Sequence, residues 1–286
     1  MKVTPDTQRK QTWSPIRVLS VAGSDSGGGA GLQADIKTIS ALGGYAATAV
    51  SAITVQNTLG VDAVYPVKAQ HICEQVEAVC KDIKPQAIKI SMLPDPETAE
   101  PLASILKKYN CKNIVIDPVM VATSGHLLTD TDAMNEMVKH LFPLASVVTP
   151  NFTEAKQLVG FDLTHIGTCY DAALKILKWE PKAVLIKGGH APNGPVRDLL
   201  IFNGQKKPIA FSAGRLKTKN LHGTGCTLSA AIAFFLASGL NITKAVLQAK
   251  RYLHMAIKTG ANMRLGSGNG PVNHLFDPLP LHQIRK

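Results

Sequence analysis

Short apolar runs with few charged residues recur along this chain, and strands of that kind have to be covered on both faces. They occupy 17–23, 45–55, 86–91, 113–117, 145–149 and 183–187, the last three rich in β-branched residues. Helical periodicity fills gaps between them, at 29–43, 69–83, 96–108, 131–141 and 166–178. Such alternation predicts an α/β fold with a mostly parallel central sheet. Strands at 196–203 and 208–212 read as a hairpin around Asn203-Gly204, and helices at 224–238 and 243–259 close the chain. No repeat or linker divides the sequence, so 17–286 is expected to be one domain. Residues 1–16 are polar, contain Pro5 and Pro15, and are expected to be a flexible tail.

Composition narrows the functional classes. With 286 residues, 45% of them hydrophobic, the chain can build a sizeable core. Only 5% are aromatic, and the net charge of +11 comes without a long basic block, so no nucleic-acid partner is expected. The apolar stretch 228–240 falls short of the roughly 20 residues of a membrane span, and no signal core opens the chain, so no membrane partner is expected either. Cys73, Cys80, Cys111, Cys169 and Cys226 are odd in number and form no CxxC pair. That favours a reducing, cytoplasmic setting over a disulfide framework.

Several segments carry chemistry, each beside a plainer reading. His222-Gly-Thr-Gly-Cys-Thr opens a helix with no Lys, Arg, Asp or Glu between Lys219 and Lys244. Glycines at a helix start let an anion approach unpaired N–H groups, and a thiol there has its pKa lowered. The alternative is a tight turn into a core helix. Gly23-Ser-Asp-Ser-Gly-Gly-Gly-Ala-Gly31 follows a strand and offers a backbone wall to a small ligand, but it is neither a dinucleotide fingerprint in register nor a P-loop. Asn151 and Glu154 stand three apart at a helix start, which suits either a hydrated Mg²⁺ or a helix cap. Lys187, entering Gly188-Gly189-His190, and Asp117 both end strands and could face the same sheet edge. Asp35 falls within the apolar arc of its helix, as a first-turn acid or as a ligand-facing one.

Taken in order, GSDSGGGAGLQAD, VQN, ML, DPVM, TPNFTEA, KGGH, NLHGTGCTLSAA and GPVNH resemble the hydroxymethylpyrimidine-phosphate kinases, a branch of the ribokinase-like superfamily. The likeness runs from Val18 to His274. It implies a ribokinase-like three-layer α/β/α sandwich and transfer of the γ-phosphoryl group of ATP, with Mg²⁺, to a hydroxymethylpyrimidine. A second transfer, onto the monophosphate, gives the pyrophosphate used in thiamine synthesis. By resemblance Gly23, Asp35, Gln56 and Met92 contact the pyrimidine. Asn151 and Glu154, with Asp117, hold Mg²⁺ largely through water, and Lys187 lies near the transferred phosphate. Gly223, Thr224 and Gly225 form the anion hole, with Thr224 also at the nucleotide, and Cys226 is the catalytic base. The family also implies a homodimer. Ser91 stands where the family usually has Gly, and Ser26-Gly27 where some members read Pro-Ser. The rivals are a pyridoxal kinase, against which Gln56-Asn57 argues, a dual-specificity kinase, and a non-catalytic pyrimidine-binding protein.

Overall fold

A computed structural model describes residues 12–121, 128–163, 165–188, 196–205 and 207–285. Its elements run β1 (Trp13–Ser14), β2 (Arg17–Asp25), α1 (Gly31–Ala41), β3 (Tyr45–Gln56), β4 (Val61–Pro66), α2 (Ala69–Asp82) and β5 (Ala87–Ile90). Then come α3 (Ala99–Lys108), β6 (Ile114–Ile116), α4 (Thr131–His140), β7 (Val147–Val148), α5 (Phe152–Val159), α6 (Ile166–Leu177) and β8 (Ala183–Ile186). The chain ends with β9 (Val196–Phe202), β10 (Ile209–Ala213), α7 (Thr224–Ala237), α8 (Ile242–Gly260) and β11 (Ile284–Arg285).

Among the described residues nine strands form one sheet in the order β10-β9-β8-β7-β6-β5-β2-β3-β4. The run from β8 to β3 is parallel, while β4, β9 and β10 pair antiparallel at the two margins. Successive side chains of the central strands go to opposite faces. Leu19, Val21, Ile88, Ile90, Val184 and Ile186 pack on α2 to α6, against Ile72, Leu102, Met137 and Ile176 among others. Val18, Ala87, Val115, Ala183 and Leu185 pack on α1, α7 and α8. Hence the strands read as continuous apolar runs: both residue sets are buried, each large side chain contributing roughly 1.5–3 kcal/mol. The result is a three-layer α/β/α sandwich. α7 is apolar all round because it lies between the sheet and α1 and α8, with Ala230 to Ala233 wholly buried. No helix among the described residues is long and apolar enough to cross a membrane.

Two expectations need correction. The tail was expected to be loose through residue 16, yet Trp13 and Ser14 pair with Arg285 and Ile284. The C-terminal segment is itself tied down, since the N–H groups of Leu279 and His282 donate to Ala41 and Gly43 carbonyls at 2.8 Å. A two-residue pairing with a distant segment leaves no periodicity to read. Residues 1–11 of that tail lie outside the described residues. β4 was also missed: it is a margin strand ending in Pro66, with Tyr65 60% exposed, so it lacks the buried alternation that marks the inner strands.

Candidate active site

The C-terminal ends of the parallel strands open on a cavity of about 620 Å³. Open α/β sheets place ligands at this edge because the loops there leave a crevice between strand ends and helix starts. Of the expected site residues, Gly23, Gln56, Met92, Asp117, Asn151, Glu154, Lys187 and Gly223 to Cys226 all line this one cavity, and Asp35 does not.

The glycine-rich start of α7 faces this cavity. Gly223 is its N-cap, in a left-handed conformation at φ 79°, and no side chain caps the helix. A Cβ added there would lie 1.9 Å from the Gly29 carbonyl oxygen, so the two glycine-rich segments touch backbone to backbone. The turn sits over a buried ion cluster: a Cβ built on Gly225 would lie 3.5 Å from Lys187 Nζ and 3.6 Å from Asp117 Oδ2. Lys187 Nζ donates to Asp117 Oδ1 at 2.6 Å and stands 3.6 Å from Glu154 Oε2. Burial works against the Lys187 charge, but Asp117 and Glu154 more than offset it and raise its pKa. Gly223→Ala is expected to lower kcat/KM about a hundredfold by displacing these N–H groups. Steady-state kinetics beside a circular-dichroism melt checks this, and activity near that of the parent in a folded variant would refute it.

Asp117, expected as an outer ligand of Mg²⁺, lines the cavity and is already engaged by protein donors. Besides Lys187, its oxygens accept from Thr149 Oγ1 and Ser229 Oγ, both at 3.1 Å, and it is wholly buried. It anchors Lys187. Asn151 and Glu154 form a capping box: Asn151 Oδ1 accepts from the Glu154 N–H at 2.9 Å, and Glu154 Oε2 accepts from the Asn151 N–H at 2.7 Å. The plain helix-cap reading is therefore true as well, and the cap aims the carboxylate. Burial, with Asp117 nearby and only partly offset by Lys187, pushes the Glu154 carboxyl up to about 7. Two carboxyl groups thus face one ammonium, and a cation beside Glu154 would favour its ionised form. No group of three His, Cys, Asp or Glu side chains converges among the described residues, so the donor set fits a hydrated cation held through water by Glu154, not a direct cage.

Cys226 corrects a second expectation. Its place at a helix start predicts a lowered thiol pKa, but burial pushes it up to about 11. Lys89 counters that, while Asp35 and Asp117 add to it. The resting group is a thiol.

Asp35, expected to reach the substrate, is fully buried and is not among the residues that line the cavity. It accepts from Lys89 Nζ at 2.8 Å and from Ser20 Oγ at 2.5 Å, and both Asp35 and Lys89 are fully buried. Its place on the apolar arc of α1 is thus explained by an ion pair with β5. Lys89 Nζ also donates to Ser91 Oγ at 3.0 Å, which carries the pair up to the cavity wall.

At the other end, Gly23, Met92 and Gln56 come together. A Cβ at Gly23 would lie 2.9 Å from Met92 Sδ, so Met92 packs directly on the strand. Two residues here were missed. Asp25 is 3% exposed and accepts N–H groups from Gly27, Gly29 and Ala30, which shapes the glycine-rich loop. His222 Nε2 lies 3.0 Å from Asp25 Oδ2 and 3.2 Å from the Gln56 amide. An Asp two before a glycine is an Asx-turn signal that could have found Asp25; nothing local marks its partner. Asp198 and Lys250 were missed too, an ion pair at the far wall where Asp198 also accepts from the Gly188 N–H at 2.8 Å. Gly189 and His190 of the KGGH segment lie outside the described residues.

The sequence profile of the Phosphomethylpyrimidine kinase family matches residues 25–273. The chain belongs to this family. It is 47% identical over 257 residues to the hydroxymethylpyrimidine/phosphomethylpyrimidine kinase of Rhizobium meliloti, covering 90% of this chain and 96% of that one. Its structure resembles the phosphomethylpyrimidine kinase from Clostridium difficile, with a TM-score of 0.74, 41% identity, and coverage of 85% of this chain and 99% of the other. It also resembles the pyridoxal kinase from Staphylococcus aureus in complex with AMP-PCP and pyridoxal, with a TM-score of 0.83, 32% identity, and coverage of 96% and 100%. The sandwich is therefore ribokinase-like, as the motif order implied.

Proposed function

We infer that this chain transfers the γ-phosphoryl group of ATP to 4-amino-5-hydroxymethyl-2-methylpyrimidine and then to its monophosphate, in thiamine biosynthesis. The observation that carries this reading is the uncapped start of α7 set directly over the Lys187 ammonium, in a family of phosphomethylpyrimidine kinases.

Phosphoryl transfer needs positioning and charge stabilisation more than covalent help. Backbone N–H groups of Gly223 to Cys226 hold the oxygens of the transferring group, and Lys187, kept charged by Asp117, stands beside them. Thr224 lies at the nucleotide phosphates. The apolar wall of Leu216, Leu253 and Ile257 takes the flat adenine. Glu154, aimed by Asn151, would hold magnesium through water; when bound, the ion neutralises phosphate charge. Met92 packs on the pyrimidine ring and Gln56 hydrogen-bonds its edge. Cys226 takes the hydroxymethyl proton from its small thiolate fraction, so the first transfer is the pH-sensitive one. The monophosphate is already largely ionised near neutral pH and needs no base.

The five cysteines are free and fit a reducing cytoplasm. Exposed Ile53, Val55 and Tyr65 on the β3–β4 hairpin support a homodimer.

The likeness to a pyridoxal kinase favours a second reading, phosphorylation of pyridoxal. Against it, a Gln amide both donates and accepts, as an aminopyrimidine edge requires. ATP consumption with Mg²⁺ and, in parallel, hydroxymethylpyrimidine, its monophosphate, pyridoxal or ribose decides between them. Turnover of both pyrimidines with little on pyridoxal is expected. Turnover of pyridoxal alone would overturn the substrate, and no turnover would point to a binding protein.

A further inference from the structure

The Gln56 amide is caught between two protein groups whose donors and acceptors fit it in only one orientation. Asp25 accepts the Gly27 N–H on Oδ1 at 2.8 Å, and the Gly29 and Ala30 N–H groups on Oδ2 at 2.9 and 2.8 Å. Burial opposes its charge, but the hydrogen bonds from His222 and Ala30 outweigh that and lower its pKa. Its carboxylate is therefore ionised and only accepts. His222 Nε2, 3.0 Å from Asp25 Oδ2, must then carry a hydrogen and donate. The same nitrogen lies 3.2 Å from the near end of the Gln56 amide, which is placed there as Nε2, with Oε1 toward Thr54. A nitrogen that bears a hydrogen does not accept, so the near end is the oxygen and not the NH₂. The two ends of an amide have the same shape, and only hydrogen-bond matching tells them apart. The far end, 3.2 Å from Thr54 Oγ1, is then the NH₂. Thr54 accepts from it and donates its own hydrogen to the Ser24 carbonyl at 2.9 Å. The single Nε2–H is then shared between two acceptors, Asp25 Oδ2 at 3.0 Å and the Gln56 oxygen at 3.2 Å, and no two donors oppose.

We propose that His222 is a positioning residue for substrate selection: held by Asp25 as an Nε2–H donor, it locks the Gln56 amide with its oxygen toward His222 and its NH₂ toward Thr54. This rests on the pyrimidine reading above. An amide offers two hydrogens and two lone pairs, and the protein takes one of each. One N–H beside one lone pair remains for the ligand. A ring nitrogen next to an exocyclic amine supplies the complementary acceptor and donor, in one order only. A reversed amide would set donor against donor, and a pyridine alcohol without the amine satisfies only half of the pair.

The test compares the parent protein with His222→Ala and His222→Gln, the latter keeping a side-chain N–H near the same place. For His222→Ala, KM for hydroxymethylpyrimidine is expected to rise roughly tenfold, with KM for ATP and kcat changed less than about threefold. His222→Gln is expected to recover most of that loss. If KM for ATP rises in step, or His222→Gln is no better than His222→Ala, His222 merely supports its loop and the proposal is wrong. A second readout does not depend on turnover. Nitrogen-15 NMR of histidine-labelled parent protein, with His222 assigned by its absence in His222→Gln, is expected to show a hydrogen on Nε2. A hydrogen on Nδ1 alone would overturn the proposal. Failure of the parent to phosphorylate either pyrimidine would refute the reaction instead, and the NMR result would still decide the role of His222.

Discussion

Lys187→Met is expected to lower kcat about a thousandfold and to destabilise the fold by about 3–5 kcal/mol. The two losses share one cause. Lys187 is the ammonium between Asp117 and Glu154, and both carboxylates are almost wholly buried. Without it the Asp117 carboxylate stays in the interior with only Thr149 and Ser229 as donors. Breaking a buried pair from one side is far more harmful than removing both partners, because an uncompensated charge remains. Asp117→Asn in the Lys187→Met background should therefore restore much of the stability and none of the activity. Urea unfolding and single-turnover kinetics on the two variants separate the effects. Stability lost without activity would assign Lys187 to the fold alone. Glu154 adds a pH signature. Its folded pKa of about 7 lies above the ordinary value, so it is largely protonated below pH 7 and acquires the charge needed to hold a hydrated cation only as pH rises through 7. The apparent affinity for magnesium is expected to strengthen across that interval, and Glu154→Gln to abolish the change.

The second large effect concerns the first transfer alone. Burial holds the Cys226 thiol at about 11, so a thiolate base is scarce at pH 7 and grows tenfold per pH unit below that value. The rate of hydroxymethylpyrimidine phosphorylation should rise by roughly a thousandfold in single-turnover chemistry between pH 7 and pH 10. Transfer to the monophosphate should change by less than about threefold over the same interval, because its acceptor oxygen is already ionised. Cys226→Ala should flatten the first profile and leave the second nearly untouched. Rapid-quench measurement of each step settles the matter, and a flat first profile in the parent protein would remove Cys226 from proton transfer.

Much of the molecule could be read locally. Runs such as Ala183-Val-Leu-Ile186 bury alternate residues on opposite faces, and that demand for two covering layers is written in their composition. The Asn151–Glu154 cap and the glycine-rich start of α7 are also local, since a cap and a helix turn involve residues within one helical turn. What local reading could not supply were partners and solvation. Asp35 is paired with Lys89, 54 residues away. Asp117 is paired with Lys187, 70 residues on. Asp25 meets His222 across 197 residues, a pairing made by two glycine-rich segments in backbone contact. The Cys226 thiol shows the same division: its helix-start position favours the thiolate, yet burial and carboxylates carried on other elements decide the outcome. The sequence by itself determined the inner strands, the helices and the glycine-rich turns, because backbone geometry and apolar pattern are short-range properties. Tertiary structure alone decided which charges are paired, which are buried and which face the cavity, because Coulomb forces and desolvation depend on distance in space and not along the chain.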